Sequence, residues 1–125
     1  MSIILIVEDN DKNMKLVRDI LQHHGHTTLE AVTGEAGVQL AIAQRPDLVL
    51  MDIELPGIDG IEALRQIRAE AALAAVPVIA ISASVMPADQ RQIVESGFDG
   101  FLTKPISLKP FVATVERFLK NGRAT

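Results

Sequence analysis

Five short runs of β-branched and aliphatic residues punctuate the chain at nearly even intervals: residues 3–7 (IILIV), 27–32 (TTLEAV), 48–51 (LVLM), 76–81 (VPVIAI) and 100–103 (GFLT). Each has the length of a strand, and the stretch after each carries apolar residues at helical spacing. The first predicts a helix from Asp11 to Gly25, with Met14, Val17, Ile20 and Leu21 on one face and Gly25 as terminator. Thr33 caps a second, carrying Val38, Ala41 and Ile42, before Pro46 forbids continuation. A third follows Gly60 with Ile61, Leu64, Ile67 and Arg68, then frays into the alanine-rich residues 69–75. Pro87 opens a fourth and Gly97 closes it. A fifth follows Ser107 with Leu108, Phe111, Val112, Val115, Phe118 and Leu119.

Unbroken β–α alternation implies right-handed crossovers and a parallel sheet covered by helices on both faces. Strands 1, 3 and 4 are almost wholly apolar, as strands buried on both faces must be, whereas strands 2 and 5 are mixed and belong at the edges. The expected architecture is a flavodoxin-like (βα)5 doubly wound sheet in the order 2-1-3-4-5. At 125 residues, without a linker or low-complexity segment, residues 1–125 read as a single domain.

Composition removes several function classes. A net charge of −4 with no local cluster of Lys or Arg argues against a nucleic-acid surface. The absence of cysteine excludes disulfides, Fe–S clusters, thiolate zinc sites and Cys nucleophiles. The first apolar run is too short for a signal-peptide core and leads straight into Glu8 and Asp9, and no segment approaches the ~20 apolar residues of a membrane span. The expectation is a cytoplasmic domain. His23, His24 and His26 read as a solvated helix end rather than a metal site, since adjacent helical residues do not share a face.

The chemistry gathers at the strand ends. In an open parallel sheet, functional groups collect beyond the carboxyl ends of the strands where chain order reverses, here between strands 1 and 3. Those strands end in Glu8-Asp9 and in Asp52. Like charges at ~4 Å cost about 4 kcal/mol per pair even at an effective dielectric of about 20, so something positive must be present. Lys104, at the end of strand 5, is one candidate, and Mg²⁺ on the carboxylates and backbone oxygens is another. Ser82 ends strand 4 with a hydroxyl able to hydrogen-bond an anion. Acids, a cation, a hydroxyl and a metal at one rim suit phosphoryl transfer, with a carboxylate as nucleophile.

These residues resemble the receiver domain of bacterial response regulators, in the CheY-like superfamily. "LIVEDN" is similar to that family's acidic-pair motif, "LVLMDIELPGIDG" to its phosphoacceptor strand and turn, "VIAISAS" to its switch strand and "GFLTKPIS" to its lysine-proline motif. The length, "VEDNDKNMKL" and "LTKPIS" resemble the DivK-like single-domain regulators of cell division and differentiation. The resemblance implies that Asp52 accepts a phosphoryl group from a phosphohistidine on a sensor histidine kinase or histidine phosphotransfer protein. It implies Mg²⁺ on Asp9, Asp52 and the backbone carbonyl of Glu54, with Glu8 acting partly through water. Lys104 would pair with the phosphoryl oxygens, Ser82 would move toward them, small Ala83 would leave the pocket open, and Phe101 would be the switch aromatic. A cis Lys104–Pro105 bond is expected.

The fourth helix offers only Ile93 and Val94 as strong apolar anchors, so the surface of helix 4, strand 5 and helix 5 is the expected moving face. No effector domain follows residue 120, which implies output through a downstream protein partner, from a monomer or a phosphorylation-dependent dimer, without nucleic acid or membrane. On this reading the chain is no enzyme beyond its own phosphorylation and dephosphorylation. Two alternatives stay open: a haloacid-dehalogenase-type aspartyl phosphatase, which also places a second acid two residues after a strand-end Asp, as Glu54 stands here, and a phosphorylation-independent pseudo-receiver.

Overall fold

A computed structural model describes residues 2–83 and 86–123. Five parallel strands form one sheet in the order β2-β1-β3-β4-β5. They are β1 (Ile3–Val7), β2 (Thr27–Ala31), β3 (Leu48–Asp52), β4 (Val78–Ser82) and β5 (Gly100–Thr103). Between and after them run α1 (Asp11–His23), α2 (Gly34–Gln44), α3 (Gly60–Arg68), α4 (Pro87–Glu95) and α5 (Leu108–Asn121), with a 3-10 turn at Ala71–Leu73 within the alanine-rich stretch.

The two-residue period of the central strands divides the core. Leu5, Val7, Val49, Met51, Val78 and Ala80 face one way, against Val38 and Ala41 of α2, Ala63, Leu64 and Ile67 of α3 and Ile93 of α4. Ile4, Ile6, Leu48, Leu50, Ile79 and Ile81 face the other, against Met14, Val17 and Leu21 of α1 and Phe111, Val115 and Phe118 of α5. Register then sets the rim. Val7 pairs with Met51 and Asp52 with Ile81, so Glu8 and Asp52, each one residue further along its strand, end side by side.

Local chemistry ends the helices where the sequence places the signals. Thr33 accepts the Ala36 N–H and caps α2. Asp59 does the same for α3 through Glu62 N–H. Gly25 and Gly97 take positive φ just past α1 and α4.

Some details differ from the sequence pattern. Ile42, Val94 and Leu108 have helical spacing but are exposed, leaving Ile93 as the one buried residue of α4. Strand β4 starts at Val78 rather than Val76, since Pro77 has no N–H and offers only its carbonyl, which takes Val49 N–H at 2.9 Å. His26 is not solvated: its ring is nearly enclosed and Nε2 lies 3.0 Å from Glu116 Oε1 on α5.

Candidate functional site

The rim between β1 and β3 holds two carboxylates that the fold has taken out of water. Glu8 and Asp52 are each 3% exposed, and Ser82 at the end of β4 is 2% exposed. The backbone places them: Glu8 N–H donates to Ala31 O at 3.0 Å and Ile53 N–H to Ile81 O at 3.0 Å, while Lys104 N–H donates to Ser82 O at 2.9 Å. The Lys104–Pro105 peptide is cis at this turn.

Lys104 Nζ lies 2.8 Å from Asp52 Oδ2 and 3.0 Å from Glu8 Oε1. Asp52 Oδ1 accepts the Glu54 N–H at 3.0 Å, so its two oxygens are held by separate donors. Asn10 N–H donates to Glu8 Oε2 at 3.2 Å, and Asn10 Oδ1 caps α1 by accepting from Lys12 and Asn13. This role of Asn10 escaped the motif reading, although an Asx residue just before a helix is the ordinary cap signal.

Charge crowding is visible in the acid-base balance. Burial, reinforced by the neighbouring Asp52, pushes the Glu8 carboxyl up to about 7, against the pull of Lys104 and the Asn10 N–H. Burial acts against charge on Lys104, yet Asp52 and Glu8 outweigh it and hold the amine above its usual range.

Asp9 is exposed beside this pair, and oxygens of Glu8, Asp9 and Asp52 all lie within 4.8 Å of one another. Such an all-oxygen, over-charged set fits a hard divalent cation. No acid from later in the chain joins this group among the described residues, unlike the late acids a haloacid-dehalogenase-type site requires. Glu54 contributes its N–H to Asp52, and its side chain is exposed. Phe101 is half-buried on the α2–α3 side of the sheet, and Ala83 is exposed next to Ser82. The structure thus brings Glu8, Asp9, Asp52 and Lys104 into one pocket, with Ser82 on the adjoining strand end and Phe101 outside it.

A doubly wound sheet with a buried, doubly held carboxylate and an amine at its switch point is the architecture of a phosphoacceptor signalling domain. Residues 4–116 match the response regulator receiver domain family, and the chain belongs to that family. It is 39% identical over 116 residues to the polar-differentiation response regulator DivK of Brucella anthropi, covering 93% of this chain and 94% of that protein. DivK of Brucella ovis is 38% identical over the same shares. The receiver domain of sensor histidine kinase PA1611 from Pseudomonas aeruginosa, solved with a magnesium ion in its active-site cleft, is similar with a TM-score of 0.90 and 32% identity, covering 96% of this chain and 98% of that one. The chemotaxis regulator CheY4 of Vibrio cholerae shares the fold, with a TM-score of 0.88 at 23% identity, covering 94% of this chain and 98% of that one.

Proposed function

We propose that residues 1–125 act as one receiver unit in which Asp52 takes a phosphoryl group from a phosphohistidine of a sensor histidine kinase or a histidine phosphotransfer protein. The observation that carries this reading is the Asp52 carboxylate, buried and held at one oxygen by Lys104 Nζ at 2.8 Å and at the other by Glu54 N–H at 3.0 Å. A carboxylate so placed pays its orientational entropy on folding rather than at reaction.

An Asp52 oxygen attacks phosphorus as the P–N bond to the imidazole breaks, forming an acyl phosphate, and the imidazole retains the bonding pair and is protonated from solvent. Glu8, Asp9, Asp52 and the Glu54 carbonyl would hold Mg²⁺, which when bound neutralises charge on the carboxylates and phosphoryl oxygens. Lys104 then exchanges its carboxylate partners for a phosphoryl oxygen, and Ser82 supplies a hydroxyl from the neighbouring strand end.

The acyl phosphate brings −1.5 to −2 charges, roughly, to the Lys104 and Ser82 corner. Ser82 and Phe101 pass the change to α4, whose single buried anchor is Ile93, and so to the α4–β5–α5 face that meets a downstream protein. The kinship with DivK supports a cytoplasmic regulator of cell division or differentiation, monomeric or dimerising on phosphorylation, whose only catalysis is of its own phosphorylation and dephosphorylation.

Phosphorus NMR of the chain with acetyl phosphate tests this. One acyl phosphate per chain, requiring Mg²⁺ and missing in Asp52→Asn, is expected. Sustained release of phosphate from unrelated esters would instead indicate a phosphatase, and Mg²⁺-independent behaviour identical in Asp52→Asn would indicate a pseudo-receiver.

A further inference from the structure

The two arms of the acidic site come from different strands, and one helix touches both. Gly37 of α2 packs on Val7, the residue before Glu8: a β-carbon added at Gly37 would stand 2.7 Å from Val7 Cγ2 and 3.0 Å from Cγ1. One turn earlier, Gly34 packs on the loop that follows Asp52, where an added β-carbon would stand 2.6 Å from Ile58 Cγ1 and 2.7 Å from the Ile58 carbonyl oxygen. Real β-carbons do not approach so closely, so both places require hydrogen, and α2 lies against the strand end and the loop at backbone distance.

The loop in question is otherwise tightly tied. Ile53 N–H donates to Ile81 O and Gly60 N–H to Ile53 O, both at 3.0 Å, and Asp59 caps α3. Gly57 turns the loop at φ 77° with the Glu35 carboxylate of α2 lying over its α-carbon. Ile53, Leu55 and Ile58 pack into the core beneath it.

We infer that α2 is a spacer: the β1–β3 ladder fixes Glu8 beside Asp52, and α2, through Gly34 and Gly37, sets how the loop that carries Glu54 stands against the strand end that carries Glu8 and Asp9, so that these two glycines are positioning residues for the divalent cation. The inference rests on the metal-dependent reading above. A methyl group at either glycine must move α2, the end of β1 or the loop. Mg²⁺ demands near-ideal octahedral geometry, so a displacement of a few tenths of an ångström between the arms weakens binding.

The neighbours differ in kind, and that gives the test its edge. The obstacle at Gly37 is side chain, with Val7 Cβ itself at 3.4 Å, whereas at Gly34 a backbone carbonyl oxygen also blocks the space. In Mg²⁺ titrations by calorimetry, Gly37→Ala and Gly34→Ala are each expected to bind about tenfold or more weakly than wild type. Adding Val7→Ala to Gly37→Ala restores wild-type affinity, while adding Ile58→Ala to Gly34→Ala does not. Val7→Ala alone, which leaves slack, also weakens binding, and it keeps the inference testable should Gly37→Ala fail to fold. Leu21→Ala, in the core on the opposite face, lowers the melting temperature without changing Mg²⁺ affinity. Wild-type affinity in the folded glycine variants, or loss of affinity that follows melting temperature across the whole set including Leu21→Ala, overturns the spacer. Absence of Mg²⁺ binding by the wild type overturns the metal-dependent reading itself, and the spacer with it.

Discussion

Lys104 is the cation that bonds both Glu8 and Asp52, and removing it exposes what the pocket holds in check. In Lys104→Met the metal-free chain loses about 2–4 kcal/mol, since truncating one partner of a buried pair leaves the other charges uncompensated. Mg²⁺ is therefore expected to raise the melting temperature of Lys104→Met by more than that of wild type, which thermal melts with and without Mg²⁺ will read. Glu8 supplies a pH dependence of definite sign. Its carboxyl is raised in the folded state to about 7 by burial and by Asp52, so the stability it contributes is present below its unfolded value, near 4.5, and is lost as pH rises through about 7. After allowance for solvent screening the effect is of order 1 kcal/mol. Metal-free Glu8→Gln is thus expected to melt above wild type at pH 8 and to converge with it near pH 5. The opposite order at pH 8 would contradict the assigned crowding.

The secondary-structure elements were largely legible because their signals are local. Two-residue and 3.6-residue periods, Thr33, Pro87, Gly25 and Gly97 act within a turn of where they stand. Exposure at the margin of a helix face was not legible. Val94 and Leu108 follow the apolar spacing, but whether such a residue is covered depends on the neighbouring element, and among the described residues these two are left exposed. Arg45 ends α2 at φ 47° directly before Pro46, a left-handed conformation that costs an L-residue about 1–2 kcal/mol. Arg45→Gly relieves that strain while adding freedom to the unfolded chain, for a net gain of about 0.5–1 kcal/mol on chemical denaturation. Helix α4, with Ile93 as its one buried residue, is expected to exchange its amide hydrogens faster than α3, which buries Ala63, Leu64 and Ile67. Equal protection of the two helices would remove α4 as the moving element.

At the scale of the whole molecule, the ion pairs with nearly enclosed carboxylates among the described residues lie at the two ends of the sheet. At the end away from the acid pocket, Asp99, whose side chain is nearly enclosed, accepts from Arg68 Nη2 at 2.9 Å, Arg123 Nε at 2.8 Å and Val78 N–H at 2.8 Å. Arg68 also reaches the carbonyls of Leu73 and Val76, and Arg123 that of Ala74. This clamp joins α3, β4 and the segment after α5 at the foot of β5. It was invisible in the sequence, where its three members look like ordinary surface charges on unrelated segments. Asp99→Ala, which strands two guanidinium groups, is expected to cost about 3 kcal/mol without altering Mg²⁺ affinity. The acid pocket, by contrast, was legible because the topology of a parallel sheet dictates where strand ends meet. That Asp52 is the residue modified can be read directly. After treatment with acetyl phosphate and Mg²⁺, borohydride reduction of the acyl phosphate followed by peptide mass spectrometry is expected to find homoserine at position 52 and nowhere else. Reduction at another acid, or equal labelling of Asp52→Asn, would contradict it.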